Sequence, residues 1–194
     1  MGVAAKRKVI FMNKKNNSSH EKLLRLCFAA MFAALICAAT KLIQIPTPTG
    51  GYVNFGDCFV LIAAWVLGPV YGFAAAGIGS ALVDLMGYAQ YVPGTFFIKG
   101  LMAATAALII TAFVKRDAKP RLPGFVASGL AAELIMVGGY YLYEATLLGY
   151  GFFGALEGVL GNCIQGGFGL TIGVILVQVI EKTGVLKKLR SYVM

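Results

Sequence analysis

The stretch DCFVLIAAWVLGPVYGFAAAGIGSALVDLM, residues 57–86, decides the fold. It is apolar almost throughout, but Gly68-Pro69 interrupts it. Read as one helix, it leaves the chain with five membrane crossings. Read as two helices meeting at Gly68-Pro69, it gives six. The flanking charges choose between these readings, because Lys and Arg concentrate on the cytoplasmic side of membrane proteins. Fifteen of the 17 basic residues fall in three segments: Lys6, Arg7, Lys8, Lys14, Lys15, Lys22 and Arg25; then Lys115, Arg116, Lys119 and Arg121; then Lys182, Lys187, Lys188 and Arg190. With six crossings all three segments share one side. The loops 44–56, 87–95 and 149–154, which contain no Lys or Arg, then face the other side. With five crossings, the connector around residue 118 and the C-terminal tail fall on the outer side.

The expectation is therefore an all-α integral membrane protein. It is a six-transmembrane-helix bundle with both N- and C-termini cytoplasmic. The helices are expected at about 23–43, 57–68, 70–86, 96–114, 124–148 and 155–181, between basic tails at 1–22 and 182–194. The second and third are short against the ~20 residues of a full span, so they are expected to tilt against their neighbours.

Composition points the same way. Of 194 residues, 59% are hydrophobic and 13% charged, with a mean hydropathy of +0.79. Soluble domains are about 45–50% apolar and about 25% charged, which excludes a water-soluble globule and a disordered chain. The net charge of +9 would suggest nucleic acid on a soluble protein. Here its distribution assigns it to orientation and to contact with anionic lipid, and no interleaving of aromatic and basic residues supports nucleic-acid binding. The first apolar run, from Leu23, is too long for a signal-peptide core and lacks a small-residue cleavage site. Lys6 excludes an N-myristoylation signal. Met12 is a second candidate start. Cys27, Cys37, Cys58 and Cys163 have no zinc or redox spacing and read as small buried hydrophobes.

Charges inside membrane helices are expensive and usually functional. The candidates are Asp84, Lys99, Glu133, Glu144 and Glu157, with Asn162 and Gln165 as uncharged polar groups. Under the six-helix topology all but Glu133 gather in the outer half. A channel needs polar residues at every depth, so this asymmetry argues for an outward-opening pocket instead. At 100° per residue, Glu133, Tyr140 and Glu144 share one face of the fifth helix, and Asn162, Gln165 and Gly169 one face of the sixth. Lys99 is expected to pair with Asp84 or Glu144 if it serves structure. Tyr88, Tyr91, Phe96, Phe97, Tyr140, Tyr141 and Tyr143 cluster at the same level, as an aromatic belt and as surfaces for stacking a flat ring. Trp65 reads as an interface anchor.

Small residues four apart let helices approach closely. Gly72/Ala76/Ser80 and Gly169/Gly173 read as packing within the bundle. The broader stripe Ala29, Ala30, Ala33, Ala34 and Ala38 reads as a docking surface for another membrane subunit.

Much chemistry is absent. No phosphate-binding loop occurs. Gly77-Ile78-Gly79-Ser80-Ala81 is not a nucleophile elbow, since Ile78 stands where the first glycine is needed. No His/Cys/carboxylate cluster has metal spacing, and the single histidine, His20, lies in the N-terminal tail. Neither a cofactor nor a metal is expected, and the protein is not read as an enzyme. A membrane enzyme using Glu144 and Glu157 is the weakest alternative.

Several strings together resemble the S component, the substrate-binding subunit, of energy-coupling factor (ECF) vitamin transporters, and within these the riboflavin-transporter-like subfamily. They are Ile45-Pro46-Thr47-Pro48-Thr49-Gly50-Gly51-Tyr52, Asn54-Phe55-Gly56-Asp57, the run from Gly77 through Asp84-Leu85, Gly87-Tyr88, Pro93, and Ile98-Lys99-Gly100-Leu101. The resemblance spans nearly all of 23–181. It implies a subunit of a prokaryotic cell-membrane importer that binds a vitamin or precursor (riboflavin, pyridoxine-type or hydroxymethylpyrimidine-type) in its outer half. It also implies a lid formed by loop 44–56. Ala29, Ala30, Ala33 and Ala34 would dock on a transmembrane T subunit, with two ABC ATPases supplying energy. The site residues expected on this basis are Lys99, Glu144, Asn162, Gln165, Tyr140, Asp84, Tyr91 and Asn54. A self-contained secondary carrier of a polar aromatic solute is the alternative.

Overall fold

The computed structural model describes residues 3–47, 50–117 and 122–184, with side chains for 21–47, 50–114 and 122–184. The basic side chains before residue 21, those of the connector, and Lys187, Lys188 and Arg190 of the tail lie outside these ranges, as do His20, Pro48 and Thr49. The charge argument thus stands on sequence alone.

Helix α1 runs Val3–Leu42, β1 Gln44–Pro46, β2 Tyr52–Asn54, α2 Gly56–Asp84, α3 Val92–Asp117, α4 Leu122–Leu142, α5 Gly151–Gly154 and α6 Leu156–Lys182. A 3-10 turn at Ala89–Tyr91 precedes α3, and a π-helical turn at Tyr143–Leu147 ends α4. Helix α1 begins well before residue 23, because no Gly or Pro occurs between residues 3 and 45 to break it. Helices α3 and α4 also start earlier than expected. Pro93 and Pro123 sit in their first turns, where a missing N–H breaks no helical hydrogen bond. Among the described residues five helical segments are long and apolar enough to cross a membrane: Glu21–Leu42, Gly56–Asp84, Ala89–Val114, Leu122–Leu147 and Gly151–Lys182.

The second of these does not run straight. Gly68 has φ 77° and ψ −177°, a conformation essentially closed to residues with a Cβ. Pro69 follows and cannot continue the hydrogen-bond ladder. The two arms, 56–67 and 69–84, fold back on each other. A Cβ placed on Gly72 would stand 3.2 Å from the Ala64 Cα. A straight helix of this length would hold its ends about 40 Å apart. Instead Asp84 lines the same recess as Lys99, which is ion-paired with Asp57 at the other end of α2.

The first arm is the centre of the molecule. From Val60 to Gly68 every residue is buried, which is why its sequence shows no polar face. The second arm lies between α1 and α3, and its glycines set the spacing. At Gly79 an added Cβ would stand 2.5 Å from the Ala33 carbonyl oxygen, and at Gly77 2.7 Å from the Phe96 carbonyl oxygen. Gly169 and Gly173 of α6 lie similarly against Asp57 and Cys58.

Two expectations are corrected. Trp65 is not an interface anchor but fully buried, edge-on to Phe125 with ring centroids 5.0 Å apart. Ser128 Oγ accepts its indole N–H at 2.9 Å, which makes that burial possible. Of the four cysteines only Cys58 is buried; Cys37 is half-buried, and Cys27 and Cys163 face outward. On a lipid-facing helix an outward position is as apolar as the core, so hydrophobicity does not force a cysteine inside.

Candidate substrate pocket

A recess of about 480 Å³, counted out to its open mouth, lies beneath the β1–β2 hairpin between the end of α1, the second arm of α2, α3, α4 and α6. All eight residues singled out from sequence line it: Asn54, Asp84, Tyr91, Lys99, Tyr140, Glu144, Asn162 and Gln165. Thr40, Thr47, Gly51, Tyr52, Ser80, Thr95 and Gly158 complete the wall.

Lys99 pairs neither with Asp84 nor with Glu144. Its ammonium donates to Asp57 Oδ1 in a salt bridge with 3% and 0% of the two side chains exposed. The other Asp57 oxygen accepts Gln165 Nε2 at 2.6 Å. Gln165 Oε1 in turn accepts the Asn54 backbone N–H at 2.7 Å and Asn54 Nδ2 at 3.3 Å. Asn54 Oδ1 accepts the N–H of Gly56, the first residue of α2, at 2.8 Å. One polar chain thus ties α3, α2, α6 and the hairpin together. Asp57 is the member with no sequence-derived role. An acid in the first turn of a helix ordinarily serves the helix dipole, and nothing local reveals a lysine 42 positions later.

The acids of the wall are held by phenols. Tyr52 donates to Asp84 Oδ1 at 2.5 Å, and Tyr91 to Glu144 Oε1 at 3.0 Å. Burial, and then the Asp84 charge, push the Tyr52 phenol well above its ordinary pKa, so Tyr52 remains the donor in that bond. The Tyr140 hydroxyl lies 2.9 Å from Thr95 Oγ1, and the Lys99 ammonium 5.6 Å from the Tyr140 ring centroid. Glu144 is buried in the π turn that ends α4, and such turns occur frequently at functional sites. Gly158 makes room for that side chain: a Cβ there would stand 2.6 Å from Glu144 Oε2.

Glu133 does not join Tyr140 and Glu144 at the recess, as the shared helical face suggests. It lies two turns along α4, buried against Gly166 and Gly169. Of the aromatics, Tyr91 and Tyr140 reach the wall. Tyr143 packs on Tyr91, and Phe96 turns to Phe73. Phe97 is 59% exposed.

The alanine stripe splits. Ala29 is 8% exposed and belongs to the core, and Ala33 has its backbone against Gly79. Ala30, Ala34 and Ala38 face outward. Ala29 is taken up by the core and Ala33 is half-exposed, so Ala30 and Ala34 are the most outward of the four alanines expected to dock.

Residues 21–182 match the family described as ECF-type riboflavin transporter, S component. The chain belongs to that family. This S component is 34% identical over 150 residues to an uncharacterized protein from the gap 3'region of Pyrococcus woesei, covering 76% of this chain and 95% of the relative. It is 24% identical over 175 residues to the thiamine precursor transporter HmpT of Lactococcus lactis subsp. cremoris (strain MG1363), covering 89% and 96%. Its fold resembles the S component of a bacterial ECF transporter, with a TM-score of 0.58 and 20% identity over 82% of this chain and 96% of the other. It resembles the S component for biotin from an ECF-type ABC transporter to the same TM-score, 0.58, at 16% identity over 81% and 92%. The S component is a multi-pass membrane protein and a substrate-binding subunit for uptake of a vitamin or precursor; its family is one of transporters, not enzymes.

Proposed function

We propose that this S component captures a polar heteroaromatic vitamin or precursor from outside the cell. Riboflavin, the thiamine-precursor type and the pyridoxine type are the candidates. The carrying observation is convergence: eight polar or aromatic residues scattered from position 54 to 165 line one recess. Tyr91 and Tyr140 supply ring faces, Asn162 and the acids supply hydrogen bonds, and the β1–β2 hairpin covers the mouth. Family membership favours this reading over a self-contained carrier. Purified from a host that makes vitamins, the protein should retain a small aromatic ligand at near one equivalent by mass spectrometry. An empty protein that also shows no thermal shift with a vitamin panel would sink the reading.

In our reading α2 crosses the membrane twice, which makes six crossings with both termini in the cytoplasm of a prokaryotic cell. The fold-back at Gly68 and the three basic segments support it. A cysteine at the exposed position of Val70, in a background without other cysteines, should be labelled by an impermeant reagent only from the side that labels the C-terminal tail. Absence of labelling from either side would return the chain to five crossings, in which residue 70 lies in the middle of one spanning helix. Uptake itself would run through a T subunit docked on Ala30 and Ala34 and two ABC ATPases.

A further inference from the structure

We propose that Gln165 is a positioning residue and not a ligand contact: it fastens the β1–β2 hairpin over the recess by joining the hairpin's main chain to the Lys99–Asp57 ion pair. The proposal rests on the vitamin-binding reading of the recess and deepens it.

The hairpin needs a fastener. Each strand is three residues long, Gln44–Pro46 against Tyr52–Asn54, and an isolated two-stranded hairpin is marginally stable at best in water. Its place over the recess therefore depends on bonds to the helices. Gln165 supplies one to the main chain itself, accepting the Asn54 N–H. The same oxygen also accepts Asn54 Nδ2, so both of its lone pairs are taken. On the other side Gln165 Nε2 donates to Asp57 Oδ2. The side chain is 4% exposed.

Asp57 dictates the direction of the amide. Its Oδ1 is taken by the Lys99 ammonium, and its Oδ2 faces α6 as an acceptor. Turned about, the Gln165 amide would set its oxygen against that carboxylate and its N–H groups against the Asn54 N–H, and both bonds would be lost. The ion pair thus orients the amide, and the amide oxygen holds the strand. Gly169, one turn later on the same face of α6, makes the reach possible: a Cβ there would stand 2.7 Å from the Asp57 Cβ. A side chain engaged in this way sets how long a ligand is kept, not which ligand is chosen.

The test compares the parent, Gln165→Met and Gln165→Asn as purified full-length proteins in detergent. Methionine keeps the length without a comparable donor or acceptor, and asparagine is one methylene too short to bridge both partners. Hydrogen exchange without ligand, read by mass spectrometry, should be at least about tenfold faster in the hairpin of both variants. It should be unchanged in the buried arm from Val60 to Gly68. Riboflavin and an aminopyrimidine alcohol are the binding probes. A probe that the parent binds should dissociate at least about tenfold faster from both variants, by a similar factor for each probe. Asn162→Ala, on the same wall, should weaken binding with hairpin exchange unchanged.

Hairpin exchange equal to the parent's in both Gln165 variants overturns the inference. So does exchange that rises equally in the buried arm, or a loss about tenfold greater for one probe than for the other. An Asn162→Ala protein whose hairpin is as loose as that of Gln165→Met overturns it as well. Failure of both Gln165 variants to fold does the same, since fastening one hairpin is not a task of the core. A parent that binds neither probe sinks the vitamin-binding reading and the effect on residence with it, while hairpin exchange still decides whether Gln165 is the fastener.

Discussion

Lys99→Met should destabilise the purified protein by about 3–5 kcal/mol, the usual cost of removing one partner from a buried ion pair. Asp57→Leu should cost a similar amount, and the double variant Asp57→Leu/Lys99→Met should recover most of the loss. The asymmetry follows from burial. Both side chains are almost wholly enclosed, so either charge alone is left without water or a counter-ion, whereas two apolar side chains of similar size are tolerated. Asp57 carries a second load, because it also accepts Gln165, which holds the Asn54 backbone. Asp57→Leu should therefore loosen the hairpin over the recess as well, and its binding defect should exceed that of Lys99→Met at equal stability. Denaturant or thermal unfolding in detergent reads the first effect and ligand titration the second. Single variants as stable as the parent would mean the pair is not formed.

Ala30→Leu with Ala34→Leu should reduce uptake to background in cells carrying the T subunit and ATPases, while the purified protein binds ligand as before. Both alanines face outward from α1, so leucine clashes with nothing inside the chain. On a partner helix the added bulk prevents the close backbone approach that small residues permit. The contrasting substitution is Ala29→Leu. That residue is in the core, and overpacking it should cost about 1–3 kcal/mol of stability whether or not a partner is present. Uptake that survives the outward pair would remove α1 as the docking face.

Much of the site is legible from sequence because polar residues are scarce in an apolar chain. Lys99, Glu144, Asn162 and Gln165 stand out against their helices, and the cost of burying such groups implies that they meet. Their partners are not legible. Two carboxylates, Asp84 and Glu144, are the candidates for Lys99 by sequence, and Asp57 is marked only as an acid opening a helix. Glu133 shares a helical face with Tyr140, yet α6 comes close enough at Gly166 and Gly169 to shut it away from the recess. The alanine stripe shows the same limit. Spacing marks every small residue, but which of them are consumed internally depends on where α2 lies.

Composition, the placement of 15 basic residues and the Gly68-Pro69 break are local properties, and they suffice for a membrane bundle, its expected orientation and the point where α2 turns. Periodicity adds which residues are buried together. Who pairs with whom was decided only when the arms of α2 closed on each other and brought Asp57, Asp84, Lys99 and Gln165 within one small volume. An ion pair across 42 residues is set by three-dimensional approach, where distance and lost water determine the energy, and no one-dimensional pattern encodes that distance.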